Sequence, residues 1–160
     1  MHGDNVGGAL CQRDRRKIPY RIIRHSFQNW PDPKGATDDE HTHATPTVAT
    51  IGGQKQVICF MTSGLVSVAP TKGEVLWRFP VKYNTSTAAS PVVGGTNGNI
   101  VYCSAGYGVG AGACRVRKAD GKWVAEQLWR NGIQNHWATG VHKDGYIYCQ
   151  IEPSEDLHDS

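Results

Sequence analysis

Gly64-Leu65-Val66-Ser67-Val68-Ala69-Pro70-Thr71-Lys72-Gly73-Glu74-Val75-Leu76-Trp77-Arg78 is the stretch on which the fold reading turns. Residues 65–68, Leu-Val-Ser-Val, form a mainly apolar, partly β-branched run too short for a helix, with Gly64 before it and Ala69-Pro70 after it. That pattern predicts a short strand. A Gly-bearing turn follows, and the stretch closes on Leu76-Trp77. Upstream lie Thr45-Pro46-Thr47-Val48, the polar turn Gly52-Gly53-Gln54-Lys55 and a strand over 56–60 that contains Cys59.

Downstream the order repeats. Ser90-Pro91-Val92-Val93 opens a second copy, and Thr139-Gly140-Val141 opens a third more faintly. Their turns are Gly94-Gly95-Thr96-Asn97-Gly98-Asn99 and His142-Lys143-Asp144-Gly145, leading to strands over 100–104 and 146–150. The Gly-rich run 106–112 matches the Ser63-Gly64 turn, a strand over 113–117 matches 65–68, and Leu128-Trp129 matches Leu76-Trp77. An interval of about 45 to 50 residues, with about four short strands per copy, fits propeller blades. Each Trp is expected to plug the gap between neighbouring blades. The fold class expected is all-β, a partial β-propeller of two to three four-stranded antiparallel blades.

These motifs resemble the pyrroloquinoline-quinone (PQQ)-like β-propeller family, whose repeat runs Leu-x-Ala-Leu-Asp, Thr-Gly, then Leu-Trp. The chain departs from it at Ala69, where Asp is usual, and at Thr71-Lys72-Gly73, where Thr and Gly are separated; Asp120-Gly121 is kept in the second copy. Gly73, Trp77, Gly121 and Trp129 are the structural repeat positions. The resemblance covers 43–151. It implies that the parent is a six- to eight-bladed ring of which this chain is a fragment, secreted, periplasmic or lipid-anchored. The role it implies is a non-catalytic scaffold or binding module of the cell envelope, meeting protein partners through the propeller face. An isolated fragment would self-associate through its open blade edges. The alternative is a fragment of a quinone-dependent alcohol dehydrogenase whose catalytic residues lie in missing blades. PQQ and calcium belong only to that alternative. A third reading is a small complete cytosolic β protein, which predicts cooperative unfolding of the isolated chain.

In a propeller the strand openings lie near the central channel on one face. His43, Ser90, Asn135, His136 and Trp137 are therefore the candidate binding residues, completed by other blades; the competing reading has them capping strands. No catalytic or metal-binding residue is assigned. Calcium and quinone chemistry needs clustered oxygen ligands and a base. The acidic residues of the repeats are Glu74, Asp120, Glu126 and Asp144, read as lying in turns or beside Lys. His41 and His43 are spaced as H-x-H, but no further ligand completes a set. Gly106-Tyr107-Gly108-Val109-Gly110-Ala111 matches a dinucleotide pattern, which works only where a helix follows; a strand pattern follows here.

Net charge is +3, with 17 Lys+Arg against 14 Asp+Glu, so no single-sign field points to nucleic acid or a membrane surface. The basic cluster from Arg13 to Arg24, with Tyr20, lacks a nucleic-acid module and reads as solvated. Charged residues are 19%, below the usual ~25%, and 19 glycines disfavour long helices. No apolar run reaches the ~18 residues of a transmembrane helix, and no signal peptide is legible. The segment 1–42 reads as irregular, basic then acidic, and 152–160 as an acidic frayed tail. Cys11, Cys59, Cys103, Cys114 and Cys149 include no C-x-x-C pair and read as inert core thiols. Asn84-Thr85-Ser86 fits the glycosylation sequon, which has meaning only in a eukaryotic secretory route.

Overall fold

The computed structural model describes residues 42–71, 73–82 and 87–151. The segment 1–41 with its basic cluster, Cys11 and His41, the sequon at 84–86 and the tail 152–160 lie outside the described residues. The described chain is all-β. Its strands are β1 (Thr47–Ile51), β2 (Gln54–Met61), β3 (Gly64–Val68), β4 (Val75–Pro80), β5 (Val92–Gly94), β6 (Ile100–Ala105), β7 (Gly110–Ala119), β8 (Lys122–Asn131), β9 (Val141–Lys143) and β10 (Tyr146–Tyr148). They form three antiparallel sheets: β1-β2-β3-β4, β5-β6-β7-β8, and the hairpin β9-β10. Among the described residues no helix is long and apolar enough to cross a membrane.

Register shows that the sequence copies are structural copies. In the first sheet Thr47 pairs with Ile58, Ile58 with Ser67 and Ser67 with Trp77. In the second, Val92 pairs with Tyr102, Tyr102 with Ala113 and Ala113 with Trp129. Trp77 and Trp129 therefore occupy one position. The register also shifts at the same place in both sheets, after Ser67 and after Ala113. The hairpin continues the series, since Val141 pairs with Tyr148 and Cys149 follows, as Cys59 follows Ile58 and Cys103 follows Tyr102.

Alternation along β2 explains the packing. Ile58 and Phe60 point to one face with Leu65, Trp77 and Phe79, and pack against Val101, Cys103, Ala105, Cys114 and Val116 of the second sheet. Val57, Cys59 and Met61 point the other way and form a second cluster with Val66 and Val68. A strand buried on both faces needs apolar residues at successive positions, and β2 has them from Val57 to Met61. A small polar cluster enters this core around Gln56 and Ser67. Gln56 Oε1 accepts hydrogen bonds from Ser67 Oγ at 2.8 Å and from Trp77 Nε1 at 2.7 Å.

Two expectations are corrected. The run 106–112 is a turn only as far as Val109; Gly110, Ala111 and Gly112 belong to β7. Bare backbone is required at Gly110, where a Cβ would stand 2.1 Å from the Asn131 carbonyl oxygen. The Trp plug holds for Trp77, which is 3% exposed, but Trp129 is 40% exposed. Only β9 and β10 stand on the Trp129 side of the second sheet among the described residues, too little to cover it. The residues inserted before Trp129 lengthen β7 and β8 and carry Trp123 back to the first sheet, where its Nε1 donates to Gln54 Oε1 at 3.2 Å.

Among the described residues Cys59, Cys103, Cys114 and Cys149 form no disulfide with one another. Burial pushes the Cys103 thiol far up and Cys114 up to about 12; the Tyr102 phenol is raised to about 12 by burial and then by Cys149. These groups hold their protons more tightly in the folded than in the unfolded chain. Their contribution is present below the unfolded thiol range of ~8.5 and is lost as pH rises through the folded values. The urea midpoint should therefore fall steadily above about pH 9. Site-resolved mass spectrometry after brief alkylation at neutral pH should find half-buried Cys149 modified well ahead of Cys103 and Cys114.

Candidate functional site

The strand-entry segments tie each sheet to the next with the same bonds. Thr45 N–H donates to Ser90 Oγ at 3.0 Å, and Ser90 N–H donates to Thr139 Oγ1 at 3.1 Å. Two residues earlier, His43 N–H donates to Thr87 O at 3.0 Å, and Ala88 N–H to His136 O at 2.9 Å. The Thr42 hydroxyl donates to Phe60 O at 2.9 Å, and the Thr87 hydroxyl lies 3.5 Å from Ser104 O, the matching carbonyl. Thr42, Thr87 and His136 are thus one position in three copies, and His43, Ala88 and Trp137 are the next.

This places the candidate residues. Ser90 is a strut, with its hydroxyl and its N–H both engaged between copies. Exposed His43 sits at the first junction. Asn135, His136 and Trp137 come together at the second, along with Tyr107 from the Gly-rich run 106–112. Asn135 N–H donates to Ser104 Oγ at 2.9 Å, and Asn135 Oδ1 accepts from Ala138 N–H at 3.1 Å, closing a turn around His136 and Trp137. The His136 ring stacks on Trp137 with centroids 4.1 Å apart, and Tyr107 meets it edge-on at 4.7 Å. Asn135 and His136 are buried, whereas Tyr107 and Trp137 are each 62% exposed.

Tyr107 is held in an unusual backbone state. Its φ is 55°, in the left-handed region that a bulky residue rarely adopts. Gly108 N–H donates to Gln134 Oε1 at 2.7 Å, which anchors the turn to the segment leading into Asn135. The signal that could have found Tyr107 was its place between two glycines at a hairpin tip.

A second feature is an apolar groove of about 400 Å³ on the uncovered face of the second sheet. It is lined by Val92, Tyr102, Leu128, Trp129 and Ile147 among others. Tyr102 and Trp129 meet there with ring centroids 6.0 Å apart.

The acidic residues lie apart. Glu74, Asp120 and Asp144 are exposed in hairpin connections, while Glu126, read as lying in a turn or beside Lys, stands on β8 and pairs with Arg117. That pair holds the Glu126 carboxyl below its ordinary range, chiefly through the Arg117 hydrogen bond. The pair is solvent-exposed, so Glu126→Gln should leave the thermal midpoint essentially unchanged at neutral pH. Among the described residues no three His, Cys, Asp or Glu side chains group as a metal-binding set. The dinucleotide-like pattern runs into β7, with no helix N-terminus to face a pyrophosphate. No protein-family model, curated protein or solved structure matches the chain.

Proposed function

We propose that the chain is an arc of a PQQ-like β-propeller that serves as a non-catalytic scaffold or binding module of the cell envelope. The observation that carries this reading is the recurrence of one set of inter-sheet bonds, Thr45 to Ser90 and Ser90 to Thr139. A head-to-tail contact that repeats with the same atoms generates a ring when its rotation closes. Two four-stranded meanders with a shared register shift, followed by a hairpin in the same series, supply the repeating unit. Further copies would complete the ring, and the strand-entry face with His136 and Trp137 would present its binding surface to a partner.

The test is to extend the reading frame through its flanking DNA, express the whole product and determine its structure and location. The reading expects successive sheets around a central channel and a product exported from the cytoplasm. An open stack of sheets would overturn the propeller. Saturable quinone binding with alcohol-dependent dye reduction would overturn the non-catalytic role.

A further inference from the structure

We propose that the free edge of β10 and the groove beside it accept one extended peptide segment of a partner protein, with apolar residues at alternate positions and a basic N-terminal flank. The inference goes beyond the strand-entry surface and rests on the repeat alone, not on ring closure.

The repeat shows what belongs there. In both four-stranded sheets the second strand pairs onward with a third: Val57 with Val68 and Cys59 with Val66, then Val101 with Cys114 and Cys103 with Gly112. Ile147 and Cys149 hold the same places in the hairpin, yet among the described residues no third strand pairs with them. Asp144-Gly145 closes the hairpin on the pair Lys143 and Tyr146, so the antiparallel alternation turns the N–H and C=O of Ile147 and Cys149 toward the free edge. By the spacing of the first copy a third strand would start at Ser154. Residues 154–160 read Ser-Glu-Asp-Leu-His-Asp-Ser, which carries no alternating apolar pattern.

The edge is unguarded and the groove beside it is deep. Native sheet edges are commonly blunted by Lys, Pro or a bulge. Residues 146–151 read Tyr-Ile-Tyr-Cys-Gln-Ile, with Tyr146, Tyr148 and Ile151 exposed. Phe60, Leu65 and Phe79 stand in register across the first sheet and pack against the second. Ser104, Ala111 and Asn131 take their places in the second sheet. Tyr102 and Trp129 remain as walls around the space so opened. At the first junction the third strand delivers Cys114 and Val116 to this place. The hollow over Ala111 takes a larger side chain, Leu or Phe.

Chemistry selects the occupant. An open β edge needs backbone donors and acceptors, which an extended peptide supplies and an apolar small molecule does not. The hairpin of a second copy does not fit, because the two-fold axis that would pair β10 with β10 puts both second sheets on one side of the shared sheet, over the same strands. Charge sets the direction. β10 leads into Glu152, Glu155, Asp156 and Asp159, whereas Lys143 and Asp144 offset each other at its turn end. A segment antiparallel to β10 starts at the acidic end, so its basic residues precede its apolar ones.

The test titrates the full chain, followed by 15N–1H NMR, with the capped probe peptide Arg-Lys-Thr-Leu-Thr-Phe-Thr-Val. It should bind saturably with a dissociation constant on the order of 0.1 mM. Hydrogen exchange at the Ile147 and Cys149 amides should slow, which occupation of the groove by side chains alone would not cause. N-methylation at the probe's Phe, whose N–H faces β10, should weaken binding about tenfold, while N-methylation at the next Thr should not. Arg-Lys-Leu-Phe-Val-Thr-Thr-Thr, which breaks the alternation, and a probe with Glu-Glu for Arg-Lys should both bind more weakly. Trp129→Ala, and Ala111→Leu, which restores the side chain of the first sheet, should each weaken binding about tenfold. Glu126→Gln, outside the groove, should leave it unchanged. Sheet amides protected from exchange but no response to the probe overturn the inference and leave the repeat reading standing. Equal binding of the broken-alternation probe overturns it as well, as does concentration-dependent broadening of the β10 amides without peptide, the sign of a second copy at the edge. A chain whose sheet amides show no protection overturns the repeat reading and this inference with it.

Discussion

Replacing Gly64 or Gly110 with Ala is expected to cost at least about 3 kcal/mol, combining backbone strain with a steric clash. A Cβ at Gly64 would stand 2.2 Å from Phe79 O and 2.4 Å from Val81 N, at a φ of 128°. At Gly110 it would stand 2.1 Å from Asn131 O, at a φ of 79°. These obstructions are backbone, so no rotamer change relieves them, and both glycines open the third strand of their sheets. Gly121→Ala is the control, with a φ of 78° and nothing within 4 Å of the added methyl. It should cost only about 1 kcal/mol, the ordinary strain of a left-handed non-glycine residue. Urea unfolding followed by far-UV circular dichroism would rank the three. Equal losses at Gly64 and Gly121 would refute the close-approach argument.

The second large effect separates two residues that share a position. Trp77→Ala should destabilise the protein by about 3–5 kcal/mol, the range for removing a buried aromatic. It also strips a donor from buried Gln56, whose Oε1 would keep only Ser67. With total stabilities of ~5–15 kcal/mol, such a loss brings a small domain near unfolding. Trp129→Ala should cost under about 1 kcal/mol, because 40% of the side chain is exposed and the polar pair beneath Trp77 is replaced by Ile100 and Ala113. Comparable losses at both sites would mean that the open face of the second sheet is covered in solution.

The strands were legible because their signals are local. Short apolar runs between Gly-bearing turns located β2, β3, β6 and β10 to within a few residues, and Leu-Trp located the fourth strand in both copies. What stayed hidden depends on contacts distant in sequence. Nothing near Trp129 reveals that its covering layer is incomplete while that of Trp77 is not. The glycines of β7 looked like turn residues because the Asn131 carbonyl that crowds Gly110 and the Arg130 side chain beside Gly112 come from the next strand. At the candidate site, Asn135, His136 and Trp137 could be named from their place ahead of Thr139. Tyr107 could not, since its meeting with His136 depends on the folding of a hairpin tip.

The unequal hairpins bear on where the protein can accept new sequence. Ser67 and Trp77 are ten positions apart, whereas Ala113 and Trp129 are sixteen apart, yet both pairs face each other across the same ladder. Added residues have gone outward into a longer ribbon ending in Asp120 and Gly121, and the inner fastenings are undisturbed. A peptide epitope or fluorophore graft at Asp120-Gly121 would be tolerated, while the same graft between β1 and β2 would displace Trp123 from Gly52. Natural variation in length should collect at that hairpin end, leaving the strand-entry side a constant surface on which recognition can be built.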